Sequence, residues 1–142
     1  MKVPAILNAW HYDAQVEIIQ ANERDVIGVS AISVWEIAEL VEYKRLELPC
    51  PLKQWFDESL KYPGIRLIEL TPEIAIESSE LPGRLHRDPA DQFIVATART
   101  FDCPLITSDG RIQKYPYVKT VAWHESGQIP REGLRRSSWL VP

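Results

Sequence analysis

Apolar residues fall along this chain in two rhythms that take turns. Short unbroken runs, at residues 26–29 (VIGV), 65–70 (IRLIEL), 104–107 (PLIT) and 118–121 (VKTV), predict strands. Between them lie longer stretches whose apolar positions recur at helical spacing. Residues 13–23 place Val16 and Ile19 on neighbouring turns behind Asp13 as a cap, and residues 52–61, 72–80 and 89–100 predict further helices. Residues 30–43 carry Ile32, Trp35, Ile37, Leu40 and Val41, too dense a set for a surface helix, which predicts one packed on two sides with Trp35 in the core. Punctuation agrees with these spans. Pro49 and Pro51 make a turn, Pro63-Gly64 stops a helix, and Thr71 ahead of Pro72 reads as a cap before proline at the first helical position. A short turn of helix is expected at residues 111–114. Strands alternating with helices predict an α/β sandwich with a mainly parallel sheet. The last twenty residues (WHESGQIPREGLRRSSWLVP) lose this periodicity, so residues 1–122 are expected to form the domain and residues 123–142 a loose or separately docked tail.

Composition narrows the class. A chain of 142 residues, 45% hydrophobic and 25% charged, suits one globular domain able to bury a core. No apolar stretch approaches the roughly 18 residues of a membrane span, and the first twenty residues, with one lysine and two acids, do not read as a signal peptide; a cytoplasmic protein is expected. Cys50 and Cys103, without a CxxC, read as plain thiols rather than a disulfide framework or zinc site. A net charge of −4 argues against binding nucleic acid by bulk charge. Local basic residues, Arg84, Arg87, Arg99, Arg111 and Lys114, nevertheless stand close to several acids.

Those acids are the candidate chemistry. Each has an ordinary structural reading. Glu36 follows Ser33 at capping-box spacing, Asp88 and Asp91 suit the start of the helix after Pro89, and Asp109 before Gly110 suits a turn. Taken together they point elsewhere. Ligands of a parallel sheet gather beyond the carboxyl ends of its strands. Glu36 lies in the first turns of a helix entered from a strand, and Asp109 lies two residues past a strand. Asp91 joins them only if the helix at 89–100 begins near the same edge. Ile32 and Leu40, one turn either side of Glu36, would draw its carboxylate partly out of water, which is costly unless it is paired or holds a metal. Clustered carboxylates suit Mg²⁺ or Mn²⁺, whose natural chemistry here is phosphodiester hydrolysis. His86 and His11, with no partner at metal-ligand spacing, read as structural or solvated. There is no glycine-rich phosphate loop and no GxSxG.

Four stretches, "VSAISVWEIAELVEYKRLELP" (29–49), "LTPEIAIESSELP" (70–82), "HRDPADQFIVATAR" (86–99) and "LITSDGRI" (105–112), resemble the PIN-domain proteins of the VapC type in order and spacing. The resemblance covers about residues 13–121. It implies a three-layer α/β/α fold with a central parallel sheet and Mg²⁺-dependent cleavage of RNA. It also implies a role as the toxin of a type II toxin–antitoxin pair, with a cognate antitoxin protein as partner and a homodimer as the assembly. By motif, Glu36, Asp91 and Asp109 are the implied metal-binding and catalytic acids, whereas Asp88 is assigned to capping. Arg87 and Arg111 are candidate phosphate contacts.

One feature of the family is missing. Its members open on an apolar strand ending in aspartate, which forms the middle of the sheet. Here the chain starts MKVPAILNAWHYDAQ, and Pro4 fits a central strand at residues 3–7 badly. Two readings stay open: a start assigned downstream of the true one, or a degenerate relative. The second keeps the fold and a partner surface, with aromatics such as Trp55 and Tyr43 at an interface, but cleaves poorly or not at all. Arg131, Arg135 and Arg136 in the tail read as solvated charges.

Overall fold

The computed structural model describes residues 26–107, 109–122 and 138–141. The helix expected at 13–23, the strand considered at 3–7 and the tail arginines lie outside them. In chain order the elements are β1 (Val26–Ser30), α1 (Ala31–Glu42), α2 (Leu52–Ser59), β2 (Ile65–Ile68), α3 (Pro72–Ser79) and α4 (Pro89–Thr100). They are followed by β3 (Leu105–Thr107), α5 (Gly110–Gln113), β4 (Thr120–Ala122) and β5 (Ser138–Val141). The strands form one sheet in the order β2-β1-β5-β3-β4, every pair parallel. The chain is therefore α/β with a parallel sheet, as its alternating pattern predicts. No helix among the described residues is long and apolar enough to cross a membrane.

Helix starts follow the capping residues. Thr71 accepts the Ile74 N–H at 3.3 Å through its hydroxyl, with Pro72 opening α3, and Asp88 accepts the Ala90 N–H at 3.0 Å, with Pro89 opening α4. The cap of α1 is Ser30, which accepts the Ile32 N–H at 3.1 Å. Ser33 is inside the helix and buried, so the Ser33–Glu36 capping box read from the sequence does not form. Helix α1 also differs from expectation in its packing. Ser33 is its one buried residue, while Trp35 is 52% exposed and Leu40 lies at the surface. The apolar side chains of α1 are spread around its circumference, and the helix meets β1, α2 and α4 along only part of it. Trp35 therefore does not pack in the core. In α2, Trp55 and Phe56 are buried edge to face, with ring centroids 5.0 Å apart.

The core lies between α4 and β3. Ile94, Val95 and Ala98 pack with Leu105, Ile112 and Tyr115, and Leu81 and Leu85 close one side. All three residues of β3 are buried, as a strand covered on both faces must be, whereas Arg66 and Leu67 of the edge strand β2 are exposed.

The largest departure from expectation is β5. Four residues of the segment read as a loose tail fill the slot between β1 and β3. Val26 pairs with Ser138, Ile27 with Trp139, Gly28 with Leu140 and Val29 with Val141, while Leu105 pairs with Leu140 on the other side. The run SWLV is short enough to vanish in a segment rich in Gly, Pro, Ser and Arg. Its strand character comes from the two partners waiting on either side rather than from its own periodicity. The central position expected of an opening strand is thus taken, among the described residues, by Ser138–Val141.

Candidate active site

Two loops and two helices deliver the acids to one edge. Asp91 stands in the first turn of α4 on the same stripe as Ile94, Val95 and Ala98, three, four and seven residues on, all of them buried. Its side chain is consequently only 14% exposed. A residue serving only as a cap has no reason to sit on the core face, and Asp88, the actual cap, is exposed. Helix α4 leads directly into β3 and runs back across the sheet, so its N-terminus lies at the edge where β3 ends. That direction brings Asp91 to Asp109 although 18 residues separate them along the chain.

Asp109 caps α5. Its Oδ1 accepts the Arg111 N–H at 2.7 Å, and its own N–H donates to the Thr107 hydroxyl at 3.0 Å. Gln113 Nε2 donates to the Thr107 carbonyl at 2.8 Å, bracing the turn from the helix side. The turn read from Asp109-Gly110 is real, and it holds Asp109 close to Asp91.

His86 completes the cluster. Its Nε2 is hydrogen-bonded to Asp91 Oδ2, and ligand atoms of His86, Asp91 and Asp109 all lie within 4.8 Å of one another. The loop carrying His86 is clamped from behind. Tyr115 donates its hydroxyl hydrogen to the Pro82 carbonyl at 2.5 Å, and Gly83, at φ +68°, lies so close to the Tyr117 ring that a Cβ there would come within 2.8 Å of it. Reading His86 as isolated was wrong because the partner it needed is five residues on, across the helix start. The available signal was the crowding of His86, Asp88 and Asp91 into six residues around one proline.

Glu36 reaches the site from the other half of the sheet, at the second turn of α1. Burial first, and then the negative charges of Asp91 and Asp88, push its pKa up to about 7 from 4.5. Glu36 is thus electrostatically joined to Asp91, although it is not one of the three groups whose ligand atoms meet. The opposite holds at Asp109, whose carboxyl is held below its ordinary value chiefly by hydrogen bonding to the Arg111 side chain. Arg111 Nη2 stands 2.9 Å from Asp109 Oδ2 and 3.7 Å from Asp91 Oδ2.

These donors suit a hard divalent ion. Oxygen ligands dominate, as Mg²⁺ and Mn²⁺ prefer, and the raised pKa of Glu36 reflects first its burial and then the neighbouring charges of Asp91 and Asp88. The burial of Glu36 beside two other acids has a consequence for the protein without metal. Because the folded pKa of Glu36 lies above its unfolded value, its ionisation weakens the fold as pH rises from about 4.5 to about 7, and the penalty is complete above that. Glu36→Gln is expected to raise stability at pH 8 by about 1–2 kcal/mol, allowing for solvent screening of a half-buried group, and to change little at pH 4. Urea denaturation of both proteins in EDTA at the two pH values measures it; an equal gain at both would mean that charge is not the cause.

Comparison with known proteins agrees with this architecture. The PIN domain family matches residues 5–117. The chain is 33% identical over 97 residues to ribonuclease VapC22 of Mycobacterium tuberculosis, a match covering 68% of this chain and 73% of that protein. Its fold superposes on a chain in the crystal structure of VapBC2 from Rickettsia felis bound to a DNA fragment from their promoter. That match has a TM-score of 0.63 and 17% identity, and covers 84% of this chain and 92% of the other.

Proposed function

This chain belongs to the PIN-domain family and is of the VapC type, and from that premise we propose that it is a divalent-metal-dependent endoribonuclease serving as the toxin of a type II toxin–antitoxin pair. The observation that carries the reading is the convergence of Asp91 and Asp109, from opposite ends of the α4–β3 unit, to within 4.8 Å in a partly buried setting. In this reading Glu36, Asp91 and Asp109 hold Mg²⁺ or Mn²⁺, directly or through water. When bound, such an ion offsets charge on a phosphodiester and lowers the pKa of a water molecule. The remaining work falls to the chain. Asp91 is fixed by its place on the core stripe and by His86, and Asp109 is fixed by its own cap bond. Glu36 holds its proton up to about pH 7 without the ion, and a bound dication would favour its ionised form, so ion binding releases that proton. Arg87, exposed beside the site, is a contact for RNA phosphate. A relative named as a ribonuclease and a structural neighbour solved as a VapBC complex support RNA as the substrate and an antitoxin as the partner. A homodimer is the proposed assembly.

Purified protein is expected to cut single-stranded RNA in millimolar Mg²⁺, to stop on addition of EDTA in excess, and to resume when Mg²⁺ is restored. Gel analysis of a labelled RNA reads this out. Folded protein that leaves RNA intact at every Mg²⁺ and Mn²⁺ concentration would reject catalysis and favour the partner-binding remnant.

A further inference from the structure

Arg111, expected from the sequence as a phosphate contact, is turned instead onto the acids of the site itself. Its guanidinium forks onto Asp109, with Nε 3.3 Å from Oδ1 and Nη2 2.9 Å from Oδ2, and the same Nη2 is 3.7 Å from Asp91 Oδ2. It therefore spans the two carboxylates that, with His86, form the candidate metal cluster. We propose that Arg111 is a built-in counter-cation that occupies this gap before a metal ion arrives and competes with the ion for the same carboxylate oxygens. The inference rests on the metal-binding reading of Glu36, Asp91 and Asp109.

Three features fit a cation made to be displaced. The Arg111 side chain is 62% exposed, so it can swing into water with little loss of buried surface. Its backbone does not have to follow, because the Arg111 N–H stays bonded to Asp109 Oδ1 at 2.7 Å as part of the α5 cap. That cap uses Oδ1, while the fork also takes Oδ2. Withdrawal of the guanidinium releases Oδ2 of Asp109, and relieves Oδ2 of Asp91, without undoing the turn that positions them. A purely structural ion pair would instead lock the turn, and the turn is already held by backbone and Thr107 contacts.

Isothermal titration of the full chain with Mn²⁺ and with Mg²⁺ tests the proposal. Arg111→Ala keeps the backbone donor and is expected to tighten ion binding roughly tenfold at low ionic strength, as removing a unit charge next to a divalent site should. The advantage should shrink in about 0.5 M KCl, where the competing charge is screened. Arg111→Gln, closer in size, serves if the alanine variant does not fold, as judged by circular dichroism. Binding that is unchanged or weaker in the substituted protein overturns the proposal. Asp109→Asn separates this failure from that of the parent reading. If Asp109→Asn abolishes binding while Arg111→Ala matches wild type, the arginine inference alone falls. If Asp109→Asn binds ions as wild type does, or if neither wild type nor Arg111→Ala binds any, the site and the inference fall together.

Discussion

Asp91→Asn should lower RNA cleavage by roughly a hundred-fold or more, the scale seen when one preorganised electrostatic contact is removed from an active site. The substitution is isosteric and leaves the Asp88 cap, Pro89 and the α4 core stripe in place, so the protein should fold. What disappears is one negative charge with a 14% exposed side chain, held by His86 and facing Asp109. An amide in its place binds a divalent ion far less well than a carboxylate does. Asp88→Asn provides the comparison inside the same motif. Asn and Asp are about equally good caps, and Asp88 is exposed, so this change should leave cleavage within several-fold of wild type. Initial rates on one labelled RNA at saturating Mg²⁺, with circular dichroism to check folding, decide between them. Wild-type rates in Asp91→Asn, with EDTA sensitivity intact, would remove Asp91 from the site; a deep loss in Asp88→Asn would move the chemistry to the residue assigned here to capping.

The two aspartates show how far residue patterns reach. The caps at Thr71 and Asp88, the proline-opened helices and the alternation of strand and helix were readable because they depend on neighbours within four residues. The meeting of Asp91 with Asp109 depends on the direction in which α4 crosses the sheet, and periodicity does not carry direction; it becomes readable once a helix preceding a parallel strand is required to run back along it. Resemblance to the VapC-type proteins supplied what spacing alone left open. The pairing of His86, and that of Arg111 beyond its reading as a phosphate contact, were out of reach for a different reason. Each finds its partner across a helix start, with roles decided by side-chain direction rather than by interval. Trp35 marks the limit of density as a signal, since five apolar residues in α1 need not share a face.

Replacing Leu140 by proline should cost on the order of 2–3 kcal/mol, by removing a ladder donor and leaving its buried carbonyl partner unpaired, a sizeable part of the roughly 5–15 kcal/mol that holds a domain of this size. Leu140 is the residue of β5 paired on both sides, to Gly28 in β1 and to Leu105 in β3. Proline at that position removes a backbone donor and fixes φ near −65°, which a central strand does not accommodate. The consequence reaches the site because its acids come from the two halves that β5 joins. Glu36 follows β1 on one side, Asp109 follows β3 on the other, and among the described residues the sheet order offers no ladder between β1 and β3 except through β5. Urea denaturation should show a lower midpoint for Leu140→Pro, and Mn²⁺ titration should show weakened binding even at urea concentrations where the variant is folded. The Ile27 and Leu105 amides donate outward, to the Gly64 and Lys119 carbonyls, so it is the alternate amides, Gly28 and Ile106, that face β5 and should exchange faster with deuterium. A midpoint and exchange pattern equal to wild type would show that this segment does not hold the centre of the sheet in solution. The two halves of the site would then have to be joined by α1 packing on α4.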